Sequence, residues 1–341
     1  MKAAVVREYN RIALEDLPIP ELEEEEALIQ VTHIGLCGSD VHIYEGKLSA
    51  NYPAILGHEF SGKLSAIKTK KRTSLKIGDQ VVAHPYRSCG ICDLCITGRE
   101  NLCDQIKICG VHTEGCFAEY VKVPASKVYS FPEEIDPKLG AMVEPLAVAV
   151  HDVRRSGLKV GQTAYIIGGG PIGILTAIVV KAAGASRVAI GEINDYRIEF
   201  IRKMGFEAVD LKKTGLEQAV EELTGGKGFD VVFEDSGAWA GSEDMVKAAK
   251  IGGTIMLIGM PGEKHPVDIT ACARRGLSLV GCRIHPQIDY KAALDIIKSG
   301  EYNDQIERLI THTFPFDRIS EVMEFAVKDQ KHGKIILGMM A

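Results

Sequence analysis

The 341-residue chain has no hydrophobic run long enough to cross a membrane. Its longest apolar stretch, Ile172 to Val180, is far shorter than the roughly 20 residues that a membrane-spanning helix requires. The N-terminus also lacks the apolar stretch of about 7–15 residues that a secretory signal peptide contains. These absences predict a cytoplasmic protein without a membrane partner.

The sequence also lacks an excess of positive charge, and it contains no repeat or low-complexity segment. Its net charge of -6 argues against a nucleic-acid partner, because binding to phosphates needs a basic surface. The 46% hydrophobic and 25% charged residues are typical of an ordinary globular protein. Because the chain is longer than one hydrophobic core usually supports, we expect two domains.

The nine cysteines do not indicate a disulfide framework, because the cytosol keeps thiols reduced. Four of them, Cys89, Cys92, Cys95 and Cys103, follow a C-x2-C-x2-C-x7-C spacing. Four thiolates fill a tetrahedral shell, so this spacing predicts a closed, structural zinc site. Free thiols, a redox pair and an iron–sulfur cluster are the alternatives.

The two halves of the sequence have different hydrophobic patterns. Residues 1 to about 146 consist of short apolar or β-branched runs separated by glycines, which predicts strands and turns. From about residue 147, strand patterns such as Thr163–Ile167 alternate with helical patterns such as Pro171 to Ala183. This alternation predicts an α/β domain with a doubly wound parallel sheet over residues 147–285. We expect residues 286–341 to return and complete the first domain.

A glycine-rich turn follows the first predicted strand of this α/β domain. Its sequence is Gly168-Gly169-Gly170-Pro171-Ile172-Gly173, and it opens a helix, as a dinucleotide-binding fingerprint should. Gly168 permits the tight turn, Gly170 lets the backbone approach a pyrophosphate, and Gly173 lets helix and strand pack closely. With Pro171 and Ile172 they form the predicted cofactor site. A glycine-rich turn without a nucleotide is the alternative.

Glu192 ends the next predicted strand, 22 residues after Gly170. A carboxylate there would bind the ribose hydroxyls and repel a 2′-phosphate, so the sequence favours NAD over NADP. Arg197 works against this preference if it pairs with a phosphate, and otherwise covers the adenine. The predicted cofactor site also includes Arg197, Ser236 and Ile258.

A second group of residues has the chemistry of a catalytic metal site. Cys37 and His58 are candidate ligands, and Glu59 is either a third ligand or a carboxylate beside the metal. Glu144 lies inside an apolar stretch, where a carboxylate must be paired or metal-bound. Each of these residues alone is more often structural.

Four motifs occur in one order along the chain: Gly35 to His42, Gly57 to Gly62, the cysteine quartet and Glu144 to His151. In this order they resemble the zinc-dependent medium-chain dehydrogenase/reductase superfamily over nearly the whole chain. Within the superfamily, Glu144-Pro145-Leu146 is most similar to the sorbitol (polyol) dehydrogenase branch. Threonine and butanediol dehydrogenases are near neighbours of that branch.

The resemblance implies a GroES-like catalytic domain and a Rossmann domain, with two zinc ions and NAD per chain. It places the catalytic zinc on Cys37, His58 and Glu59, with Glu144 binding directly or through water. It also implies that Ser39 takes the alcohol proton and His42 passes it outward; otherwise Ser39 caps a helix and His42 is a surface residue. Homodimers or homotetramers are common in the family.

The substrate follows less directly from the resemblance. Arg283 matches an arginine that contacts polyol hydroxyls, and Tyr44 and Glu114 are further candidates for the pocket. The expected function is NAD-linked oxidation of a secondary alcohol of a polyol, cyclitol or sugar. Threonine or butanediol oxidation is the enzymatic alternative. A nucleotide-binding structural or sensor protein with one metal, and a zinc-free reductase, are the others.

Overall fold

The computed structural model describes residues 1–329 and 331–339. The chain forms two compact units. The first unit comprises Met1–Ala147 and His285–Ala341, and the second comprises Val148–Ile284. Among the described residues, no helix combines the length and the apolar composition that a membrane crossing would need.

The N-terminal part of the first unit consists mainly of short strands. They are β1 (Lys2–Glu8), β2 (Arg11–Asp16), β3 (Glu26–Gly35), β4 (Ala54–Ile55), β5 (Glu59–Lys68), β6 (Gln80–Ala83), β7 (Tyr86–Arg87), β8 (Lys107–Ile108), β9 (Tyr120–Pro124) and β10 (Val128–Ser130). The helices are α1 (Gly38–Tyr44), α2 (Asp93–Ile96), α3 (Pro137–Ala141) and α4 (Val143–Ser156), with 3-10 turns at Glu100–Leu102 and Ala125–Lys127. The boundary between the units falls inside α4.

In the second unit, strands alternate with helices. The strands are β11 (Thr163–Ile167), β12 (Arg187–Glu192), β13 (Glu207–Asp210), β14 (Phe229–Glu234), β15 (Ala249–Leu257) and β16 (Ser278–Gly281). The helices are α5 (Pro171–Ala182), α6 (Asp195–Lys203), α7 (Leu216–Thr224), α8 (Trp239–Ala248) and α9 (Ile269–Arg275).

The C-terminal segment returns to the first unit. Its elements are α10 (Gln287–Ser299), α11 (Asn303–Leu309), β17 (Ile310–Pro315), a 3-10 turn (Phe316–Arg318), α12 (Ile319–Lys328) and β18 (Lys334–Gly338). Strand β18 pairs antiparallel with β3, so that Ile336 lies opposite Gly35. On the other side of β3, Gly35 lies opposite Glu59. The last strand therefore reaches the same part of the sheet as the start of β5.

The first unit is built around one larger sheet with the order β10-β6-β5-β3-β18-β17, and β9 also pairs with β3. A three-stranded sheet, β2-β1-β4, and the β7-β8 pair complete it. The hydrophobic core draws Ile29 and Phe60 from the central strands and Ile335 and Leu337 from β18. The C-terminal strand is thus part of the core, because its apolar side chains are buried there.

The second unit has a six-stranded sheet with the order β13-β12-β11-β14-β15-β16. All five strand pairs are parallel. Counted within the unit, this is the order 3-2-1-4-5-6 of a doubly wound dinucleotide-binding sheet. The order reverses between β11 and β14, and this is where such sheets bind their ligands.

The predicted α/β class and parallel sheet are confirmed. Strand β11 has the predicted bounds, Thr163–Ile167. Strand β13 and helices α7 and α9 were not predicted from the sequence. Strand β13 has only four residues, and α9 buries no residue, so neither gives a strong periodic pattern.

Candidate metal and dinucleotide sites

Three donor side chains meet in the first unit. Cys37, His58 and Glu59, which we call the metal group, have one donor atom each, and these atoms lie within 4.8 Å of one another. Cys37 is the N-cap of α1, and Glu59 is the first residue of β5. His58 and Glu59 are buried, whereas Cys37 is half-buried. A thiolate, an imidazole and a carboxylate are the donor types of a catalytic zinc site.

Asp40 holds the two segments that carry these donors. Its carboxylate accepts hydrogen bonds from the backbone amides of Cys37, at 3.1 Å, and Gly57, at 3.2 Å. The same carboxylate lies 3.6 Å from Nδ1 of His58. A carboxylate behind a ligating histidine fixes the orientation of the ring. Asp40 is fully buried, so this arrangement is built into the core.

The electrostatics of the metal group favour a cation. Burial alone would lower the pKa of His58, but the charge of Asp40, followed by that of Cys37, raises it well above its ordinary value. Burial raises the pKa of Glu59, and Lys334 partly opposes this effect. A buried concentration of negative charge is stabilised by a bound metal ion. The residues present therefore fit zinc.

Lys334, the first residue of β18, contacts the carboxylate of Glu59. Its Nζ donates to Oε1 at 2.6 Å and also contacts Oε2. Both side chains are at most 5% exposed. Burial alone would lower the pKa of Lys334, but Glu59 and then Cys37 raise it above its usual value. The site therefore contains a buried positive charge, the ammonium group of Lys334.

Glu144 is bound by other partners. Tyr86 donates to its Oε1 at 2.7 Å, and Nε2 of His285 lies 3.1 Å from the same oxygen. Burial opposes ionisation, but the hydrogen bond and charge of His285 outweigh it, and the pKa of Glu144 falls to about 2. Among the described residues, Glu144 does not join the donor atoms within 4.8 Å of one another.

The remaining candidates of the first unit occupy different surroundings. Ser39 and His42 lie three residues apart on α1, Ser39 half-buried and His42 exposed. Tyr44 is buried and its hydroxyl donates to the carbonyl of Asn10 at 2.9 Å; its contact with substrate stays a prediction. Glu114 is exposed, on the loop after β8.

The four cysteines of the predicted structural site lie together. The donor atoms of Cys89, Cys92, Cys95 and Cys103 are within 4.8 Å of one another. Three sulfur–sulfur distances are 3.8 Å for Cys89–Cys95, 3.4 Å for Cys92–Cys95 and 3.6 Å for Cys103–Cys89. Sulfurs about 2.3 Å from a zinc ion at tetrahedral corners lie about 3.8 Å apart. The quartet therefore fits zinc.

Backbone amides also favour a thiolate in this loop. Hydrogen bonds from the amides of Ile91 and Cys92 lower the pKa of Cys89 to about 6. Zinc binds thiolates rather than thiols, so these donors assist metal binding near neutral pH. The loop carries its own short helix, α2, which has Cys92 as its N-cap and contains Cys95.

The glycine-rich turn of the second unit connects β11 to α5. Gly168 has φ +106°, in the region that favours glycine. A Cβ atom at Gly173 would lie 2.0 Å from the carbonyl oxygen of Gly168, whereas one at Gly170 would meet nothing within 4 Å. Pro171 and Ile172 form the first turn of α5. The N-terminus of this helix offers free amides to an anion.

Glu192 ends β12 beside this turn. Its carboxylate accepts hydrogen bonds from the amides of Gly169 at 2.9 Å, Ile193 at 2.7 Å and Asn194 at 2.9 Å. Arg197 lies 3.8 Å from the same carboxylate. Glu192 thus connects the glycine turn to the start of α6. The guanidinium group of Arg197 lies close to the Glu192 carboxylate.

The other predicted cofactor residues follow the ends of neighbouring strands. Ser236 comes after β14, and its hydroxyl contacts the carboxylate of Glu234. The amide of Ile258, after β15, donates to the carbonyl of Glu234 at 3.1 Å. Arg283 is exposed and belongs to the second unit. Because the carboxyl ends of parallel strands share one edge, Ser236 and Ile258 lie at the same edge as Gly168.

Sequence reasoning missed three residues that the structure places at the site. Lys334 precedes the apolar run Ile335-Ile336-Leu337, so a charge at the start of a buried strand was the available signal. Tyr86 and His285 gave no signal, because they are 199 positions apart along the chain; in the fold their rings meet edge to face and both contact Glu144.

Two families match the chain. Residues 23–133 match the family described as alcohol dehydrogenase GroES-like domain, and residues 171–299 match the family described as zinc-binding dehydrogenase. An L-threonine 3-dehydrogenase of Bacillus velezensis is 37% identical over 98% of both chains. The chain is a zinc-dependent medium-chain dehydrogenase.

Further relatives of this dehydrogenase differ in their names. A 2-dehydro-3-deoxy-L-galactonate 5-dehydrogenase of Pseudoalteromonas atlantica is 38% identical over 81% of both chains. A solved zinc-binding dehydrogenase of Sinorhizobium meliloti 1021, bound to NADP, has 31% identity and a TM-score of 0.90, covering 99% of this chain and 98% of its own. The predicted superfamily and the two-domain fold class are confirmed. The enzyme is an oxidoreductase of the alcohol dehydrogenase type.

Proposed function

We propose that this dehydrogenase oxidises a secondary alcohol of a polyol, cyclitol or sugar and reduces NAD. The observation that carries the proposal is the buried metal group in the first unit, which combines thiolate, imidazole and carboxylate donors. A structural or sensor protein has no use for such a donor set in addition to a closed cysteine site. The second unit supplies the dinucleotide site at its glycine turn.

Different residues of the chain bind the metal and transfer the proton. Cys37 and His58, with a carboxylate of Glu59 or Glu144, would hold the catalytic zinc, and Asp40 fixes Cys37 and the residue before His58 through hydrogen bonds from the amides of Cys37 and Gly57. When bound, zinc lowers the pKa of a hydroxyl group, and NAD accepts a hydride. Ser39 accepts the alcohol proton while it releases its own, and His42, which is exposed on the same helix, passes the released proton outward.

Glu192 supports the preference for NAD. Its buried carboxylate beside the glycine turn would repel a 2′-phosphate, whereas Arg197 is already close to Glu192 and is not a separate phosphate ligand. The Sinorhizobium relative was solved with NADP. Initial rates with NAD and NADP at equal concentration therefore test this part directly.

Two zinc ions per chain follow from the two donor sets, one at the metal group and one at the quartet. We also expect a homodimer or homotetramer, as is common in the family. Metal analysis of the purified protein checks the first expectation, and light scattering coupled to size exclusion checks the second. One zinc per chain would favour a non-catalytic scaffold.

The substrate class is supported by residues and by relatives. Glu144, fixed by Tyr86 and His285, gives the first unit a second carboxylate suited to a hydroxyl-rich substrate, and Arg283 supplies a cation for a polar substrate. The Pseudoalteromonas relative is named for a sugar acid. L-threonine is the second candidate, because the Bacillus velezensis relative is named for it.

A substrate panel tests the proposal. NADH formation is followed with polyols, cyclitols, sugar acids, L-threonine and 2,3-butanediol. The highest kcat/KM on a polyol or sugar supports the main proposal, and the highest value on L-threonine replaces it with the second candidate. Failure to oxidise any secondary alcohol, with two zinc ions bound, would overturn both.

Replacing Cys37 by serine tests the catalytic centre. Cys37→Ser should lose one of the two zinc ions and almost all turnover, because the hydroxyl is a poor zinc ligand at neutral pH. NADH binding, measured by fluorescence, should persist. Cys272→Ser, in the second unit, is the matched control and should keep both metals. If Cys37→Ser retains full metal and turnover, the metal group is not the catalytic centre.

A further inference from the structure

We infer that Lys334 is a positioning residue that competes with the catalytic metal for the carboxylate of Glu59 and so keeps a coordination position open for the substrate. The inference rests on the metal centre proposed above. It assigns a role to the C-terminal strand, which carries none of the zinc ligands.

The contact between the two side chains carries the inference. Nζ of Lys334 contacts both carboxylate oxygens of Glu59, at 2.6 Å for Oε1. Glu59 is at the same time a member of the metal group, with its donor atom within 4.8 Å of those of Cys37 and His58. The carboxylate therefore has two cationic partners available, the metal ion and the ammonium group.

The carboxylate of Glu59 is confined between the metal group, the backbone of β3 and Lys334. A Cβ atom at Gly35 would lie 2.2 Å from Oε2 of Glu59, so the carboxylate lies directly against the backbone of β3. Lys334 reaches it from the other side of β3, because β18 pairs with β3 next to the Gly35–Glu59 pair. The sheet register thus places the glycine, the glutamate and the lysine together.

The charge balance explains why a lysine is useful there. A catalytic zinc ion needs three firm protein ligands and one exchangeable position. Besides Cys37 and His58, the first unit offers the metal two carboxylates, Glu59 and the nearby Glu144, and firm binding of both would give four ligands and close the site. An ammonium group on Glu59 weakens its attraction to the metal without removing the carboxylate, so that the substrate oxygen can replace it.

Lys334→Met tests the inference, since methionine keeps an unbranched side chain of similar length and removes the charge. The released carboxylate should bind the metal more firmly. We expect zinc loss to a chelator to slow by about tenfold, which is the scale on which partners of metal ligands usually act. The visible absorption of the cobalt-substituted variant should change, kcat should fall, and Lys334→Arg should restore the wild-type values.

A double-variant cycle separates this role from simple charge pairing. In a Glu59→Gln background, Lys334→Met should leave the rate of zinc loss unchanged, because the competing carboxylate is gone. Lys127→Met, at a half-buried lysine that donates to Gln287, is the matched control and should behave as the wild type.

Two outcomes would overturn the inference while leaving the proposed function intact. One is unchanged or faster zinc loss in Lys334→Met with two zinc ions per chain still present at the start. The other is an unaltered cobalt spectrum together with a full loss of stability on thermal unfolding, which would make Lys334 a partner of a buried charge only. Absence of zinc from the wild-type metal group would instead refute the proposed function.

Discussion

Buried charged side chains in the first unit each have a specific partner. Asp40 accepts hydrogen bonds from two backbone amides, Glu59 contacts the ammonium group of Lys334, and Glu144 accepts a hydrogen bond from Tyr86. Such pairing is needed because an uncompensated buried charge is costly. The carboxylates of Asp40, Glu59 and Glu144 are therefore held in place by their partners before any ligand binds.

Asp235 in the second unit differs from these residues. Both its carboxylate oxygens are buried. Burial, followed by the charges of Asp152 and Glu234, raises its pKa well above the ordinary value. The folded protein therefore keeps this carboxyl group protonated at pH values where the unfolded chain ionises it.

This difference predicts a pH-dependent stability. The folded-state pKa of Asp235 is raised, so its protonated carboxyl group adds to the free energy of unfolding. This contribution is fully present below the unfolded pKa of about 4 and is lost as pH rises through the folded pKa. Asp235→Asn should remove that loss and raise the free energy of unfolding at pH 8 by about 1–3 kcal/mol relative to the wild type. Urea unfolding at pH 5 and pH 8 measures the difference.

The control for this prediction is Glu243→Gln, at an exposed carboxyl group on α8. It should leave the dependence of stability on pH as in the wild type. Parallel pH profiles for the wild type and Asp235→Asn would show that the Asp235 side chain is not the source of the effect.

At the scale of elements, the connection from β11 to α5 combines two separate requirements. Gly173 is needed for packing, because its Cβ position is occupied by the carbonyl oxygen of Gly168. Gly170 has open space at its Cβ position, so the fold itself does not require a glycine there. A requirement at Gly170 must therefore come from a ligand that approaches the backbone.

Two alanine variants separate these requirements. Gly173→Ala should lower the free energy of unfolding by about 1–3 kcal/mol, as overpacking usually does. Gly170→Ala should keep wild-type stability but weaken NADH binding by at least about tenfold, a loss of about 1.4 kcal/mol. Thermal unfolding and fluorescence titration with NADH give the two readouts.

Gly262→Ala is the control for both variants, since a Cβ atom there would also meet nothing within 4 Å. Wild-type NADH affinity in Gly170→Ala would contradict the assignment of this turn as the dinucleotide site. Wild-type stability in Gly173→Ala would contradict the close packing of α5 against the turn.

At the scale of the whole molecule, the two chemistries belong to different units. The metal group and the cysteine quartet consist of residues of the first unit, whereas the glycine turn and Glu192 belong to the second. Each set of donors is held by hydrogen bonds within its own unit. The candidate metal sites and the candidate dinucleotide site are thus each formed by residues of one unit.

This division predicts that zinc removal spares cofactor binding. After dialysis against a chelator, the protein should lose its metal and its turnover but still bind NADH with wild-type stoichiometry, as calorimetric titration can show. Circular dichroism checks that the second unit remains folded. Loss of NADH binding from metal-free, folded protein would contradict the division.

The fold class was largely predictable from the sequence because the second unit repeats a local pattern. Strand β11, the glycine turn and α5 follow one another within 20 residues, and their bounds follow from apolar runs and glycines. Strand β13 and helix α9 were not predictable, because a short strand and an exposed helix leave no periodic apolar signal. The units' boundary inside α4 also left no local signal.

The sequence by itself determined the donor types of the candidate metal sites and the glycine turn that is predicted to bind the cofactor. Cysteine spacing within one loop and glycines around one turn act over a few residues, so local order is enough to specify them. Only the tertiary structure decided which partners those donors have. Lys334 meets Glu59 across 275 positions, and His285 meets Glu144 across 141. Such pairs depend on sheet register and chain return, and no local pattern encodes either of them.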